Sequence, residues 1–300
     1  MSKSSRMPLS SPTETPAQTP FPSSGTLFVV ATPIGNMEDI TLRAIRTLKE
    51  VDLVAAEDTR HSRKLLSRYE VSTPLVSYHD HNKEKRTPEL LKRLKEGTSI
   101  ALVTDAGTPS ISDPGHYIVR EAIKQSLPVV PIPGASALIA ALSVSGLATD
   151  SFVFIGFVPR RSAKRKQWLN QLRDEPRPLI LYESPKRLLG LMQDVLDTMG
   201  DRHATIAREL TKLHEEILRG PLSHLLKEMS RRDPVKGECT LLVAGCEKKP
   251  EIDREALRDR LRLLSQEKDL SLSSMVKEVA KEWDLPRKVV YEEALKLKEK

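Results

Sequence analysis

The sequence predicts an α/β protein in which a parallel sheet is followed by a mixed one, with a small helical segment toward the C-terminal end. Three observations predict it. From residue 25 to about 146, short apolar runs alternate with helical stretches, the rhythm of parallel strands joined by right-handed crossovers. Between Ser151 and about Glu247 two successive strand-like runs follow one another with no helix between them, so the second sheet mixes directions. Residues 251–300 keep helical spacing throughout. Length agrees, since 300 residues at about 150 per domain gives roughly two domains.

The elements follow in order. Met1–Ser24 is rich in Ser, Thr and Pro and reads as a disordered tail. Thr26–Ala31 is a continuous apolar run, as expected for a strand covered on both faces. A helix around Thr41–Lys49, a strand at Val51–Glu57, a basic helix near Ser62–Arg68, a strand at Pro74–Tyr78 and a helix over Lys83–Glu96 come next. Thr98–Asp105 (TSIALVTD) is the clearest strand, and it precedes a helix from Asp113 to Gln125, a strand at Pro128–Ile132 and a small-residue helix from Ala135 to Ser145. The second unit has strands at Ser151–Phe157, Leu179–Glu183, Ala204–Glu209, Glu215–Gly220 and Glu238–Gly245. Helices over Lys164–Leu172, Pro185–Thr198 and Leu222–Arg231 cover them. The domains are therefore expected at 25–147 and 148–247. Pro250 marks a break. Ala256, Leu257, Leu261 and Leu264, then Met275, Val276, Val279 and Ala280, keep helical spacing, with a turn at Pro286 before a last helix.

Composition narrows the class. The chain is 39% hydrophobic and 30% charged, too apolar for a wholly disordered protein. No apolar run approaches a membrane span, and no charged-then-apolar signal opens the chain. Two cysteines, Cys239 and Cys246, make neither a disulfide framework nor a zinc spacing, so a reducing, cytoplasmic home is the simplest expectation. Lys and Arg number 48 against 41 Asp and Glu, a formal charge of +7 that suits a polyanionic partner as well as it suits plain solubility.

The small residues fall in informative places. TPIGN (Thr32–Asn36), DAGTPSISDPG (Asp105–Gly115) and PIPGASA (Pro131–Ala137) each follow a strand of the first domain. Ligands of open α/β sheets bind outside the carboxyl ends of the strands, where a missing Cβ lets a flat molecule reach backbone groups. No GxGxxG follows the first strand and no GxxxxGK[ST] occurs, which excludes a dinucleotide fingerprint and a P-loop. Asp105, at the end of its strand, is placed to accept from an amine or hydroxyl, although an Asp there also makes an ordinary turn. A small polar molecule without a triphosphate fits, and an adenosine-bearing cofactor is one such molecule.

The segments VATPIGNMEDIT, AAEDTRHSRKLL, YHDHN, ALVTDAGTPSISDPG, PIPGASALIAALSVSG, YESPKR and ARELTKLHEE together resemble the tetrapyrrole-methylase-like S-adenosylmethionine (SAM) methyltransferases. Within them they resemble the branch that methylates the ribose 2′-oxygen of a cytidine in bacterial 16S ribosomal RNA, and residues 251–300 resemble its helix-turn-helix extension. The resemblance implies two α/β domains with SAM in the cleft between them, a homodimer, and small-subunit rRNA or the 30S subunit as partner. It puts Asp105, Ala106, Gly107 and Thr108 along the cofactor, Gly134, Ala135 and Ser136 on its other side and Pro33 near the mouth. Tyr182, Ala207 and Glu238 would approach it from the second domain.

Transfer to a ribose hydroxyl needs alignment first and a proton acceptor second. Glu183, Glu209 and Asp58 are candidate bases, each with a basic neighbour that would equally make it a salt-bridge partner. His79 and His81 have a metal-like spacing but no third ligand, so no metal is expected. His79 and Asn82 face RNA in this reading, and Arg60, Arg63 and Lys64 hold phosphates. Arg160, Arg161, Lys164, Arg165 and Lys166 form a basic run just past a cleft-forming strand, which suits RNA backbone as well as a solvated helix start. Aromatics are 4% of the chain, so phosphate and shape contacts should outweigh base stacking. Two other readings compete, a tetrapyrrole-precursor C-methyltransferase and a non-catalytic RNA-binding or assembly protein.

Overall fold

The computed structural model describes residues 24–232, 234–247, 254–267, 271–283, 285 and 287–298. The expected tail up to residue 23, the break at Pro250 and the turn at Pro286 lie outside the described residues. In chain order the first half contains β1 (Leu27–Val30), α1 (Leu42–Glu50), β2 (Leu53–Ala56), α2 (Thr59–Arg68), β3 (Leu75–Ser77), α3 (Lys83–Lys95), β4 (Ile100–Val103), α4 (His116–Lys124), β5 (Val129–Ile132) and α5 (Ala137–Ser143). The second half adds β6 (Val153–Phe157), α6 (Ser162–Asn170), β7 (Leu179–Glu183), α7 (Pro185–Met199), β8 (His203–Arg208), β9 (Glu216–Pro221), α8 (Leu222–Ser230) and β10 (Cys239–Val243).

The first sheet runs β3-β2-β4-β1-β5 with every pair parallel. Its central strands β2 and β4 are buried along their whole length, which is why they read as unbroken apolar runs. Two clusters cover its faces, one built around Val30, Leu48, Leu65 and Val103, the other around Leu27, Leu90, Leu94 and Ile118. The second sheet runs β6-β7-β10-β8-β9. Only β6 and β7 are parallel; β7, β10, β8 and β9 pair antiparallel, and β8 and β9 are the successive strands that lacked a helix between them. One helix starts later than expected. Pro114 and Gly115 hold a turn, so α4 begins at His116 and leaves Asp113 in the preceding loop.

Helices α6, α7 and α8 cover one face of the second sheet through Leu169, Leu188, Met192 and Leu225. The other face takes α5: Ala141 and Leu142 pack on Ile180, Ala207 and Leu242. This helix belongs to the first half by sequence and to the second sheet by packing, and both of its ends are tied there. The Leu138 N–H, in its unsatisfied first turn, donates to the Tyr182 hydroxyl at 3.1 Å. At its other end Arg219 Nε donates to the Val144 carbonyl at 2.9 Å, and Thr205 Oγ1 to that of Ser145 at 3.1 Å. The two sheets accordingly lie in one compact unit that runs to Cys246.

Residues from Glu247 form a separate unit. Its described helices are α9 (Arg254–Glu267), α10 (Leu272–Glu282) and α11 (Arg287–Lys298), which share a core of Leu257, Leu261, Val279 and Val290. Among the described residues no helix is long and apolar enough to cross a membrane.

The basic run 160–166 divides, and this corrects the sequence reading. Arg165 is 5% exposed, and its Nε and Nη2 reach Asp194 Oδ2 on α7 at 2.7 and 2.6 Å. Lys166 pairs with Asp197 at 2.6 Å. Arg165 is therefore a core cation and Lys166 an interhelical tie, while Arg160, Arg161 and Lys164 point to solvent. Removing one partner of a buried pair strands the other charge. Arg165→Ala is expected to lower stability by about 3–5 kcal/mol in urea unfolding, with Lys164→Ala within about 0.5 kcal/mol of wild type. Equal losses would contradict the division.

Candidate functional site

A cavity of about 440 Å³ opens where the carboxyl end of the first sheet meets one end of the second. On one side it is lined by Asp105, Ala106, Gly107 and Thr108 after β4, by Ser112 and Asp113 further along the same loop, and by Ser136 and Ala137 at the start of α5. Ile34, from the loop after β1, and Glu57, at the end of β2, complete that side. The facing side comes from Tyr182, Glu183 and Ser184 at the end of β7, Ala207 on β8, Glu238 to Thr240 at the entry to β10 and Phe157 at the end of β6.

Backbone proximity shapes this cavity. Thr32 and Gly107 exchange backbone hydrogen bonds at 2.9 and 3.1 Å, locking the loop after β1 to the loop after β4. A Cβ on Gly134 would stand 2.9 Å from the Ala31 Cβ, so only glycine lets the loop after β5 lie against β1. Gly156 sits at φ +71° where the pairing of β6 with β7 shifts register, and a Cβ there would meet the Ser112 hydroxyl at 2.8 Å. The long loop after β4 thus reaches across to the second sheet. Within it Ser110 and Ser112 hold φ of 75° and 65°, strain of the kind that concentrates at functional loops.

The first-sheet side is acidic. Thr104 Oγ1 donates to Glu57 Oε2 at 2.6 Å, and the Asp58 N–H donates to Asp105 Oδ1 at 3.1 Å. Burial pushes the Asp105 carboxyl above its ordinary value, and the charges of Glu57 and Asp58 add to that. Burial pushes Asp113 up to about 6, reinforced by Glu57, Asp105 and Asp80 and partly opposed by the Thr104 hydroxyl. Among the described residues no Lys or Arg forms an ion pair with Glu57, Asp105 or Asp113. Small residues, apolar walls such as Ile34 and Ala207, and carboxylates with no cation of their own make a receptor for a small cationic molecule with a flat apolar part.

The other candidate carboxylates differ. Glu183 is buried and lines the cavity, but Arg187 Nε and Nη2 donate to its two oxygens at 2.7 Å, and the Ser184 N–H adds a third bond at 2.7 Å. Asp58 caps α2 and takes Arg60 Nη2 at 2.8 Å, and that pairing holds its carboxyl well below the usual range. Glu209, at φ +50°, accepts from Lys212 Nζ and from the Glu238 N–H, both at 2.9 Å, and the lysine holds it below its ordinary value. Asp58 and Glu209 stand beside the cavity and do not line it.

Pro33 is buried next to Ile34, and Gly134 and Ala135 lead into Ser136 without lining the cavity themselves. Arg60, Arg63 and Lys64 lie exposed on α2. Asn82 is engaged within its own loop: Oδ1 accepts from the His79 N–H at 2.9 Å and Nδ2 donates to the Ser77 carbonyl at 3.2 Å. His79 and His81 meet edge to face, with centroids 6.0 Å apart. Sequence reasoning missed Glu57, Asp113 and Phe157; the first two were signalled only by an acid closing an apolar strand and an acid inside the loop already marked.

The family model of the tetrapyrrole (corrin/porphyrin) methylases matches residues 26–226. The chain belongs to this methylase family. A relative from Synechocystis sp., named ribosomal RNA small subunit methyltransferase I, is 50% identical over 276 residues, covering 91% of this chain and 98% of its own. One of the same name from Pseudomonas aeruginosa is 46% identical, again over 91% and 98%. Among solved structures, a cobalt precorrin-4 methyltransferase aligns with TM-score 0.56 at 17% identity, over 73% of this chain and 94% of its own. The uroporphyrin-III C-methyl transferase of Thermus thermophilus complexed with S-adenyl homocysteine aligns with TM-score 0.54 at 21% identity, over 73% and 97%. These two share the methylase fold.

In this methylase the hydrogen bond from Lys212 holds the Glu209 carboxyl below its ordinary value. A carboxyl held low contributes stability above its unfolded value of 4.5 and loses it as the pH falls through the folded value. Lys212→Met should raise the Glu209 titration midpoint toward 4.5 and reduce the loss of stability on acidification, both measurable by NMR titration and acid unfolding. An unmoved midpoint would remove Lys212 from that role.

Proposed function

We infer that this chain is a SAM-dependent methyltransferase that methylates the ribose 2′-oxygen of a cytidine in small-subunit ribosomal RNA. The observation that carries the reading is the near full-length match, at 50% identity, to a relative named ribosomal RNA small subunit methyltransferase I; the ribose oxygen and the cytidine rest on the motif resemblance. The cavity fits the donor by its own chemistry: SAM carries a sulfonium, an ammonium and a flat purine, and the chain offers unpaired carboxylates beside small and apolar residues. Bound there, SAM would supply an electrophilic methyl on a good leaving group.

The chain's own residues would then do three things. Asp105, Ala106, Gly107, Thr108 and Ser136, with Tyr182, Ala207 and Glu238 opposite, would hold the donor, and Pro33, Gly134 and Ala135 would fix the backbone that lets it in. Alignment of the incoming oxygen would supply most of the acceleration, an effect of up to about 7–11 kcal/mol. Of the candidate bases, Glu183 alone lines the cavity, and Arg187 and Ser184 already engage both its oxygens, which suits holding the local structure better than taking a proton.

Substrate RNA would lie across the exposed cations. Arg60, Arg63 and Lys64 flank the acidic side, and Arg160, Arg161 and Lys164 follow the strand whose last residue, Phe157, lines the cavity. A cytoplasmic enzyme that works as a homodimer, with the donor in the cleft between domains 25–147 and 148–247, completes the proposal.

Incubating the protein with tritiated SAM and undermethylated 30S subunits should place label in a cytidine ribose. Label only in added porphyrin or corrin precursors, or tight RNA binding without transfer, would overturn it. Replacing Arg160, Arg161 and Lys164 with alanine should flatten the slope of log affinity against log salt by about 2, at roughly 0.7–0.9 per lost phosphate contact. Arg165 and Lys166 lie outside this set, so Lys166→Ala should leave the slope near that of wild type.

A further inference from the structure

The first-sheet side of the cavity is acidic, and among the described residues no Lys or Arg forms an ion pair with its three carboxylates; the exposed Arg60 and His61 act on Asp105 only through space. Glu57 comes from the end of β2, Asp105 and Asp113 from the loop after β4, and all three line the same space. The other carboxylates near the cavity are matched: Asp58 by Arg60, Asp80 by Lys83, Glu183 by Arg187, Glu209 and Glu238 by Lys212. Of the five carboxylates that line the cavity, Glu183 and Glu238 carry ion pairs, whereas Glu57, Asp105 and Asp113, all on the first-sheet side, carry none among the described residues, which makes that side a charge-selective surface.

We propose that Asp113, acting with Glu57 and Asp105, reads the net charge of the bound nucleoside, so that the cavity holds the cationic methyl donor more tightly than its neutral demethylated product. This rests on the methyl-donor reading above and adds to it a residue and a task. The donor has two positive groups and one carboxylate; transfer of the methyl removes the sulfonium charge and leaves a zwitterion of net charge zero. Both molecules share the purine, ribose, ammonium and carboxylate. Any contact to those parts binds them alike, and only a group sensitive to the extra charge tells them apart. Charges in a partly desolvated cavity interact over several ångströms, so Asp113 need not touch the sulfur.

The groups facing Asp113 make it the responsive member. Glu57 reaches it from β2, Asp80 from the loop after β3, Asp105 from its own loop, the Thr104 hydroxyl from the end of β4, and neutral Tyr182 lies across the cavity on β7. With three negative neighbours and burial, its carboxyl titrates near pH 6, within the range where ligand charge alters its protonation. A net cation in the cavity favours the ionised form, whereas a neutral ligand gives little such bias. The donor should therefore expel a proton on binding near pH 6, and the product should expel far less. As the pH rises through about 6, donor affinity climbs and levels off, while product affinity stays nearly flat. The enzyme would release its spent ligand because the reaction has erased the charge that held it.

Calorimetric titration of the full chain with SAM and with S-adenosylhomocysteine, from pH 5 to 8 in buffers of different ionisation heat, tests this. In wild type the affinity ratio of SAM to S-adenosylhomocysteine should rise by about fivefold across that range, as expected when ligand charge shifts a midpoint near pH 6 by about one unit. Asp113→Asn should flatten the ratio while both ligands still bind. Proton release measured on wild type alone gives a second readout that does not depend on the variant folding, and it should be larger for SAM. A ratio independent of pH, equal proton release for both ligands, or a pH-dependent ratio unchanged by Asp113→Asn would overturn the inference with the donor reading intact. Failure of wild type to bind either ligand at any pH would overturn both.

Discussion

The close approach of backbone to backbone along the carboxyl rim of the first sheet is the constraint on which the rest of the molecule depends. Gly134 lies where one added carbon would stand 2.9 Å from Ala31, and Gly107 is bridged to Thr32 across two loops. Because the chain after β5 can lie that close, α5 starts near the first sheet and still packs along the second. Tyr182 and Arg219 then satisfy the helix-end groups that the turn of helix leaves open. The cavity follows from this arrangement: two sheet ends face each other across a space that α5 holds open.

Charge is arranged with equal economy of parts. Several carboxylates that support the fold have a guanidinium within hydrogen-bond reach, as Asp194 has Arg165 and Glu183 has Arg187. Those that line the first-sheet side of the cavity have none among the described residues. Residue type does not separate the two groups; partners do. Leaving half-buried acids such as Glu57, Asp105 and Asp113 unmatched costs stability, and such local violations are found where a ligand completes the structure.

The parallel first sheet was legible because strands buried on both faces must be continuous apolar runs, and Thr26–Ala31 and Thr98–Asp105 are such runs. The antiparallel pair of the second sheet was legible from the lack of room for a crossover between Ala204–Glu209 and Glu215–Gly220. Glycine and proline marked the loops that line the cavity, since backbone crowding leaves few residue types permissible. Partnerships made across the fold were not legible. Arg165 reads as one more exposed cation in a basic run until Asp194, 29 residues further on, comes to meet it from α7. Asp113 reads as the first residue of a helix that in fact starts three residues later, and its acidic neighbours arrive from separate strand ends. Local chemistry is written in the sequence; which charges meet is decided by topology.

The methyl donor is proposed to sit in the space between the two sheet ends. A crystal structure of this protein with S-adenosylhomocysteine tests it most directly. Ligand density is expected between Asp105–Thr108 and Ser136 on one side and Tyr182 and Ala207 on the other. Density seated elsewhere on the protein, with this space filled by solvent, would contradict it.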